Sequence, residues 1–174
     1  MQKLQLFGDT ISGKKIVYLY RLLSDASKEA ASHVAFTTEN GISVSRDADT
    51  TETKDGPVRT PGAVETEITT TALLATGDKM IDKLKKALIS GAKVEVWRVN
   101  LAEPAEPGPN KFKATYYRAY VTEFEETSNA EDHVECSLTF GVEGTGEDGD
   151  ATVDTQQQEM INLYGFADTT KAGE

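Results

Sequence analysis

The chain has 174 residues, about the size of one domain, with a hydrophobic share of 38% and a charged share of 27%, the balance of a folded chain rather than a disordered one. A formal net charge of −11, from 29 acidic against 18 basic residues, excludes recruitment to nucleic acid or anionic membranes by bulk charge. No apolar run reaches the roughly 18 residues of a membrane span, and Met1–Phe7 leads into Gly8-Asp9 rather than a secretory core, so a cytoplasm-like compartment is expected.

From the N-terminus, Ile16 to Leu23 is β-branched and aromatic and stops at Ser24-Asp25, which predicts a well-buried strand. Val34 to Thr38 and Ile42 to Ser45 read as strand on either side of an Asn40-Gly41 turn. Residues 46–62 then read as a long polar loop without secondary structure. Loops longer than about 12–15 residues are uncommon in compact domains and are usually functional or disordered, so something outside the monomer is expected to order this one. Asp47-Ala48-Asp49 begins like a calcium loop, yet the sixth position is not glycine and the twelfth, Val58, cannot supply a bidentate carboxylate.

Val64 to Leu74 alternates, with Glu65, Glu67, Thr69 and Thr71 on a water-facing side and Val64, Thr66, Ile68, Thr70 and Ala72 on the other. Residues 79–90 form the one clear helix before the C-terminus, with Asp78 as N-cap, Gly91 as left-handed C-terminal cap and an apolar stripe of Met80, Ile81, Leu84, Ala87 and Leu88. Lys93 to Asn100 reads as strand, and the proline-rich 103–110 segment as an exposed connection. Phe112 to Glu125 alternates again, placing Phe112, Ala114, Tyr116, Tyr120 and Phe124 on one face and Lys113, Thr115, Tyr117, Glu123 and Glu125 on the other. Val134, Cys136, Leu138, Phe140 and Val142 alternate with Glu135, Ser137, Thr139, Gly141 and Glu143, closing a hairpin from Lys111 to Glu143. Gly144 to Asp150 is expected to end the sheet. Thr155 with Gln158 has the form of a capping box for a short helix containing Met160, Ile161 and Leu163, and the tail after Phe166 reads as an arm or as disordered.

Catalytic signals are sparse. His33 and His133 lie in separate turn regions without a partner nucleophile, and Cys136, the single cysteine, falls on an apolar strand position as an inert thiol. No phosphate loop, dinucleotide fingerprint or zinc spacing is present, so no metal or cofactor is expected.

Taken in order and spacing, several segments carry a resemblance: Arg46 followed by Thr53-Lys54-Asp55-Gly56-Pro57 and Thr60-Pro61-Gly62, then Asp82-Lys83-Leu84, Glu95-Val96-Trp97-Arg98-Val99, Lys111 to Tyr117, and Asn129-Ala130-Glu131-Asp132. Together they resemble the major tail, or tail tube, proteins of siphophages, particularly those infecting Gram-positive bacteria, over nearly the whole chain to about Thr152. The resemblance implies a mainly β protein, a two-sheet sandwich with one flanking helix over 1–152 and a C-terminal arm or short helix and tail over 153–174. It implies a non-enzymatic virion protein, assembled in the host cytoplasm, whose six-membered rings stack into a tube for DNA ejection. Partners would be the protein itself and the tape measure, distal tail and tail terminator proteins, with DNA passing unbound and no membrane contact. Residues 46–62 become the stacking element, with Arg46, Asp47, Asp49, Lys54, Asp55 and Arg59 pairing across the joint. The candidate lumen residues are Glu65, Glu67, Thr69, Thr71, Glu123, Glu125 and Glu135. The alternative is a free-standing acidic module that holds a small ligand or peptide with the loop and the Trp97–Tyr116 region.

Overall fold

The computed structural model describes residues 8–106 and 108–161. Its strands are β1 (Ile16–Leu22), β2 (Thr37–Thr53), β3 (Gly56–Leu73), β4 (Lys93–Pro104), β5 (Lys111–Thr127) and β6 (Glu135–Thr152), with helices α1 (Lys79–Ser90) and α2 (Thr155–Ile161). All neighbouring strands are antiparallel, and the six form one sheet in the order β1-β4-β5-β6-β3-β2. The expected two-sheet sandwich is therefore not shown, because the hydrogen bonding is continuous.

Two long strands make one sheet do the work of two layers. β5 pairs with β6 from Lys111↔Thr152 to Thr127↔Glu135, but β4 joins only as far as Lys93↔Tyr120 and β3 only from Glu67↔Gly141 to Leu73↔Glu135. β1-β4 and β3-β2 thus attach near opposite ends of the β5–β6 pair, and the sheet rolls until its two ends meet. Tyr20 of β1, 1% exposed, stacks on Phe140 at 5.3 Å between ring centroids. Its hydroxyl bonds Thr70 of β3, whose own hydroxyl donates to Asn40 Oδ1 of β2 at 3.0 Å.

Inside the roll, Tyr18, Tyr20, Ile68, Val94, Val96, Ala119, Leu138 and Phe140 form the main core with the helix. A smaller cluster of Val17, Leu19, Val99, Phe112 and Val153 covers the opposite face of β1 and β4, so these strands are buried on both sides. α1 has the predicted bounds and buries Met80, Ile81, Leu84 and Ala87. Asp78 Oδ1 accepts from Met80 N at 2.9 Å and Oδ2 from Ala35 N at 3.0 Å, tying the helix start to the chain before β2. Gly91 closes the helix at φ 72°.

Several local expectations are corrected. Asn40-Gly41 is not a turn but lies within β2, where a Cβ on Gly41 would meet Thr69 Oγ1 at 2.8 Å; the glycine serves a close approach between strands. The alternation of β5 does not hold along its length, because a bulge between Val121 and Glu123 reverses the parity. Phe124 consequently packs on the main core with Tyr117, Ala119 and Val121, which precede the bulge, while Phe112 belongs to the second cluster. The glycine-rich 144–150 segment does not end the sheet. It continues β6 after a bulge at Gly144 and Gly146, both with positive φ, where a Cβ on Gly146 would lie 2.4 Å from the Tyr117 ring. β4 runs to Pro104, and Ala105 beyond it is buried.

The C-terminal capping box exists one residue earlier than predicted. Gln157 N donates to Asp154 Oδ1 at 2.7 Å and Asp154 N to Gln157 Oε1 at 3.2 Å. Val153 is fully buried and Gln157 Nε2 donates to Ala31 O at 2.7 Å, which ties the start of this segment to the sheet. Leu163 and the tail after Phe166 lie outside the described residues.

Replacing Asp78 by alanine removes both the helix cap and the acceptor for Ala35 N. A loss of about 1–2 kcal/mol is expected, read as a lower urea midpoint with an unchanged slope.

Candidate functional site

The polar residues selected from the sequence come together on one surface. On β3, Thr66, Ile68, Thr70 and Ala72 point into the roll, so Glu65, Glu67, Thr69 and Thr71 point away from it. On β6, Cys136, Leu138 and Phe140 point inward and leave Glu135, Ser137 and Thr139 outside. Past the β5 bulge, Phe124 turns inward and Glu123 and Glu125 join the same outer face. The register aligns them in rows: Glu39, Thr71, Ser137 and Glu125 in one, Gly41, Thr69, Thr139 and Glu123 in the next, and Ser43, Glu67 and Gly141 in a third.

The outer face of β2-β3-β6-β5 is thus carpeted with carboxylates and hydroxyls. Glu39 and Glu143 extend the set chosen from the sequence. Glu39 is found only through its register opposite Thr71 across a β2 bulge, whereas Glu143 follows from the β6 alternation. Lys93 and Arg118 sit at its border, Lys93 bonded to Glu143 at 3.1 Å and Arg118 opposite Glu143 in register. Among the described residues, Glu39, Glu65, Glu67, Glu123, Glu125 and Glu135 make no ion pair.

Residues 46–62 are not a structureless loop. They are the distal part of the β2–β3 hairpin, paired from Ala48↔Pro61 to Thr53↔Gly56 around a two-residue turn at Lys54-Asp55. Thr53 Oγ1 donates to Gly56 O at 2.6 Å and accepts from Asp55 N at 3.3 Å, and Gly56 takes φ 117°. Threonine-rich strands favour the pleat, and the turn chemistry closes them. Because β3 leaves β6 beyond Glu67, the ribbon from Thr66 to Gly56 projects alone, roughly 35 Å at about 3.3 Å per residue.

Its two edges differ. Counting outward from the turn, hydrogen-bonded pairs alternate with open ones. Glu52↔Pro57, Thr50↔Arg59 and Ala48↔Pro61 are the open pairs, so both proline nitrogens face the outer edge of β3 and remove its donors there. The outer edge of β2 contains no proline. Arg46, Asp47, Asp49, Lys54, Asp55 and Arg59 are all exposed on this arm, and none makes an ion pair among the described residues.

A family model of the phage tail tube protein matches residues 10–148. A putative tail protein of Staphylococcus phage phiMR25 is 34% identical over 148 residues, covering 83% of this chain and 77% of that protein. The chain belongs to the phage tail tube protein family. The tail tube protein gp17.1* of Bacillus phage SPP1 is 26% identical over 153 residues, 88% of this chain and 56% of the SPP1 protein. Among solved structures, the SPP1 tail tube shares the fold with a TM-score of 0.71 at 22% identity, over 95% of each chain. The tail of an empty gene transfer agent particle, refined with C6 symmetry, gives 0.59 at 12% identity over 83% of this chain and 100% of that one. As a tail tube protein, the chain is a structural component of the phage tail and not an enzyme.

Cys136 is buried with its thiol donating toward Ala72 O at 3.5 Å, and burial pushes its pKa up. His33 is held below its usual pKa by burial, opposed by Asp78. Among the described residues no group of histidine, cysteine and carboxylates is placed to hold a metal ion. The Trp97–Tyr116 region forms a notch of about 150 Å³, smaller than the roughly 300–1,000 Å³ of small-molecule sites.

Replacing Pro57 and Pro61 of this tail tube protein with threonine restores donors along the protected edge. The double variant is expected to form irregular aggregates, seen as raised light scattering in fresh monomer and as disordered clumps by negative stain; scattering equal to the parent would refute edge protection.

Proposed function

We propose that six copies close into a ring and that rings stack into a hollow tube, with the outer face of β2-β3-β6-β5 lining the bore and DNA passing along it during ejection. The observation that carries this reading is the gathering of Glu39, Glu65, Glu67, Glu123, Glu125 and Glu135, with threonine and serine, on one face. Duplex DNA carries about one negative charge per 1.7 Å, and basic contacts would hold it through counterion release. A wall of carboxylates instead repels it across about 8 Å of screened water.

Edge chemistry supports ring closure. β2 forms one end of the strand order, and Val121–Thr127 of β5 extends beyond its pairing with β4. Joining β2 of one copy to this part of β5 in the next satisfies two open edges at once by a repeating head-to-tail contact. At the other end of the order, β1 is already met by Ser32, through Tyr20 N to Ser32 O at 2.8 Å and Ser32 N to Tyr20 O at 3.0 Å. Exposed Ile42 and Val44 on β2 give the joint apolar area to bury. The C6 symmetry of the gene transfer agent tail supports six copies.

Stacking falls to the arm, whose unpaired charges Arg46, Asp47, Asp49, Lys54, Asp55 and Arg59 are available to partners in the next ring. Tape measure, distal tail and tail terminator proteins are the further proposed partners.

Concentrated purified protein is expected to form rings or tubes by negative-stain microscopy, whereas a persistent monomer would favour a free-standing binding module. Deleting Thr51 to Arg59 should leave a folded monomer that does not polymerise; long tubes from it would exclude the stacking role. Phage carrying Glu65→Lys and Glu67→Lys should assemble tails yet release DNA slowly, and normal infectivity would count against a repulsive bore.

A further inference from the structure

We infer that the arm of one copy seats in a recess at the far end of the next copy's sheet, with Lys54 set against Asp132 and Val58 against Leu74 and Phe36. This rests on the stacking role proposed above and names the receiving site. The β2–β3 pair runs from Thr37↔Ala72 to Thr53↔Gly56, roughly 50 Å of continuous ribbon at about 3.3 Å per residue. The arm is one end of that ribbon. At the other, where β2 starts, β3 stops and β6 begins, lies an open recess of about 440 Å³ lined by Leu74, Ala75, Thr76, Asp132, His133 and Val134.

Two apolar side chains stand uncovered at this end. Leu74 is 41% exposed and Phe36 58%. Phe36 also takes φ 51°, the single non-glycine residue with positive φ among the described residues, a strained conformation for a bulky aromatic. The surrounding backbone enforces it: Leu73 N donates to Phe36 O at 3.1 Å, Ala35 N to Asp78 Oδ2 at 3.0 Å and Thr37 Oγ1 to Val34 O at 2.8 Å. Strained backbone of this kind clusters at functional sites, and aromatic side chains are enriched at protein interfaces.

The arm offers the matching chemistry. Its tip carries Lys54, with exposed Val58 and Pro57 directly behind the turn. The recess carries Asp132, exposed and without an ion-pair partner among the described residues, beside exposed Glu131. Copies that stack by repeated translation need donor and receiver at opposite ends of the subunit, and this ribbon places them so.

The test measures tube yield by sedimentation and microscopy alongside urea stability of the monomer. Asp132→Lys should lower tube yield about tenfold or more while the monomer stays folded, and adding Lys54→Asp should restore it. Phe36→Gly relieves the strained φ, so it should match or exceed the parent in urea midpoint yet polymerise poorly, a combination that a purely structural role for Phe36 does not produce. Tubes at parental yield from both Asp132→Lys and Phe36→Gly would overturn the inference, as would a double charge swap no better than Asp132→Lys alone. Tubes from the arm-deleted chain would instead overturn the stacking role itself.

Discussion

Burial of Tyr20 between the two ends of a single sheet is the contact on which the architecture depends. β1 and β2 are the terminal strands of the hydrogen-bonded order, yet the Tyr20 ring lies on Phe140 and its hydroxyl reaches Thr70 and Asn40. That arrangement exists only if the sheet rolls over. Complete burial pushes the phenol pKa well above its usual value, so the group remains a neutral hydrogen-bonding partner at any physiological pH. Once the roll is fixed, every strand has an inside and an outside, and the glutamates have no choice of face.

That inside–outside distinction was legible wherever one face of an element meets water. The α1 stripe with its two caps, the β3 alternation and the β6 alternation all follow from period and turn chemistry alone. What was hidden depended on pairing partners. The β5 bulge at Thr122 inserts a single residue and brings Phe124 onto the same face as Tyr117, and no local residue preference announces it. Asn40-Gly41 has the chemistry of a turn, but Asn40 accepts from Thr70 and Gly41 admits Thr69, contacts that exist only across strands. Pro57 and Pro61 read as loop formers because proline has no donor; spaced four residues apart, they fall on open pairs of one ribbon edge. The continuous sheet in place of two layers was equally invisible, since alternation specifies a buried face and not which strand supplies it.

The distribution of charge is uneven in a way the net value of −11 does not convey. Cations are concentrated away from the acidic face: Arg21 pairs with buried Glu95 at 2.7 Å, and Lys83 with Glu29 and Asp25 beside the helix. Glu95 also accepts from Tyr116 at 2.8 Å, so that buried carboxylate is fully engaged. Glu65 and Glu67, two residues apart on one face of β3, gain nothing comparable within the monomer. Like charges held on one surface oppose folding through self-repulsion, and exposed pairs with cations elsewhere offset little of it. Their concentration costs the isolated subunit stability and fits the bore wall proposed above.

In the proposed stacking, folding the arm as a ribbon changes the thermodynamics of polymer growth. A limp strap would have to surrender roughly 1–2 kcal/mol of backbone freedom for each residue it immobilised on docking, and growth would be correspondingly reluctant. The Thr53–Gly56 clasp and the ladder behind it settle most of that cost when the subunit itself folds. Under the proposed stacking role, each incoming copy would arrive with a rigid prong, and lengthening would be a matter of plugging prepared shapes together.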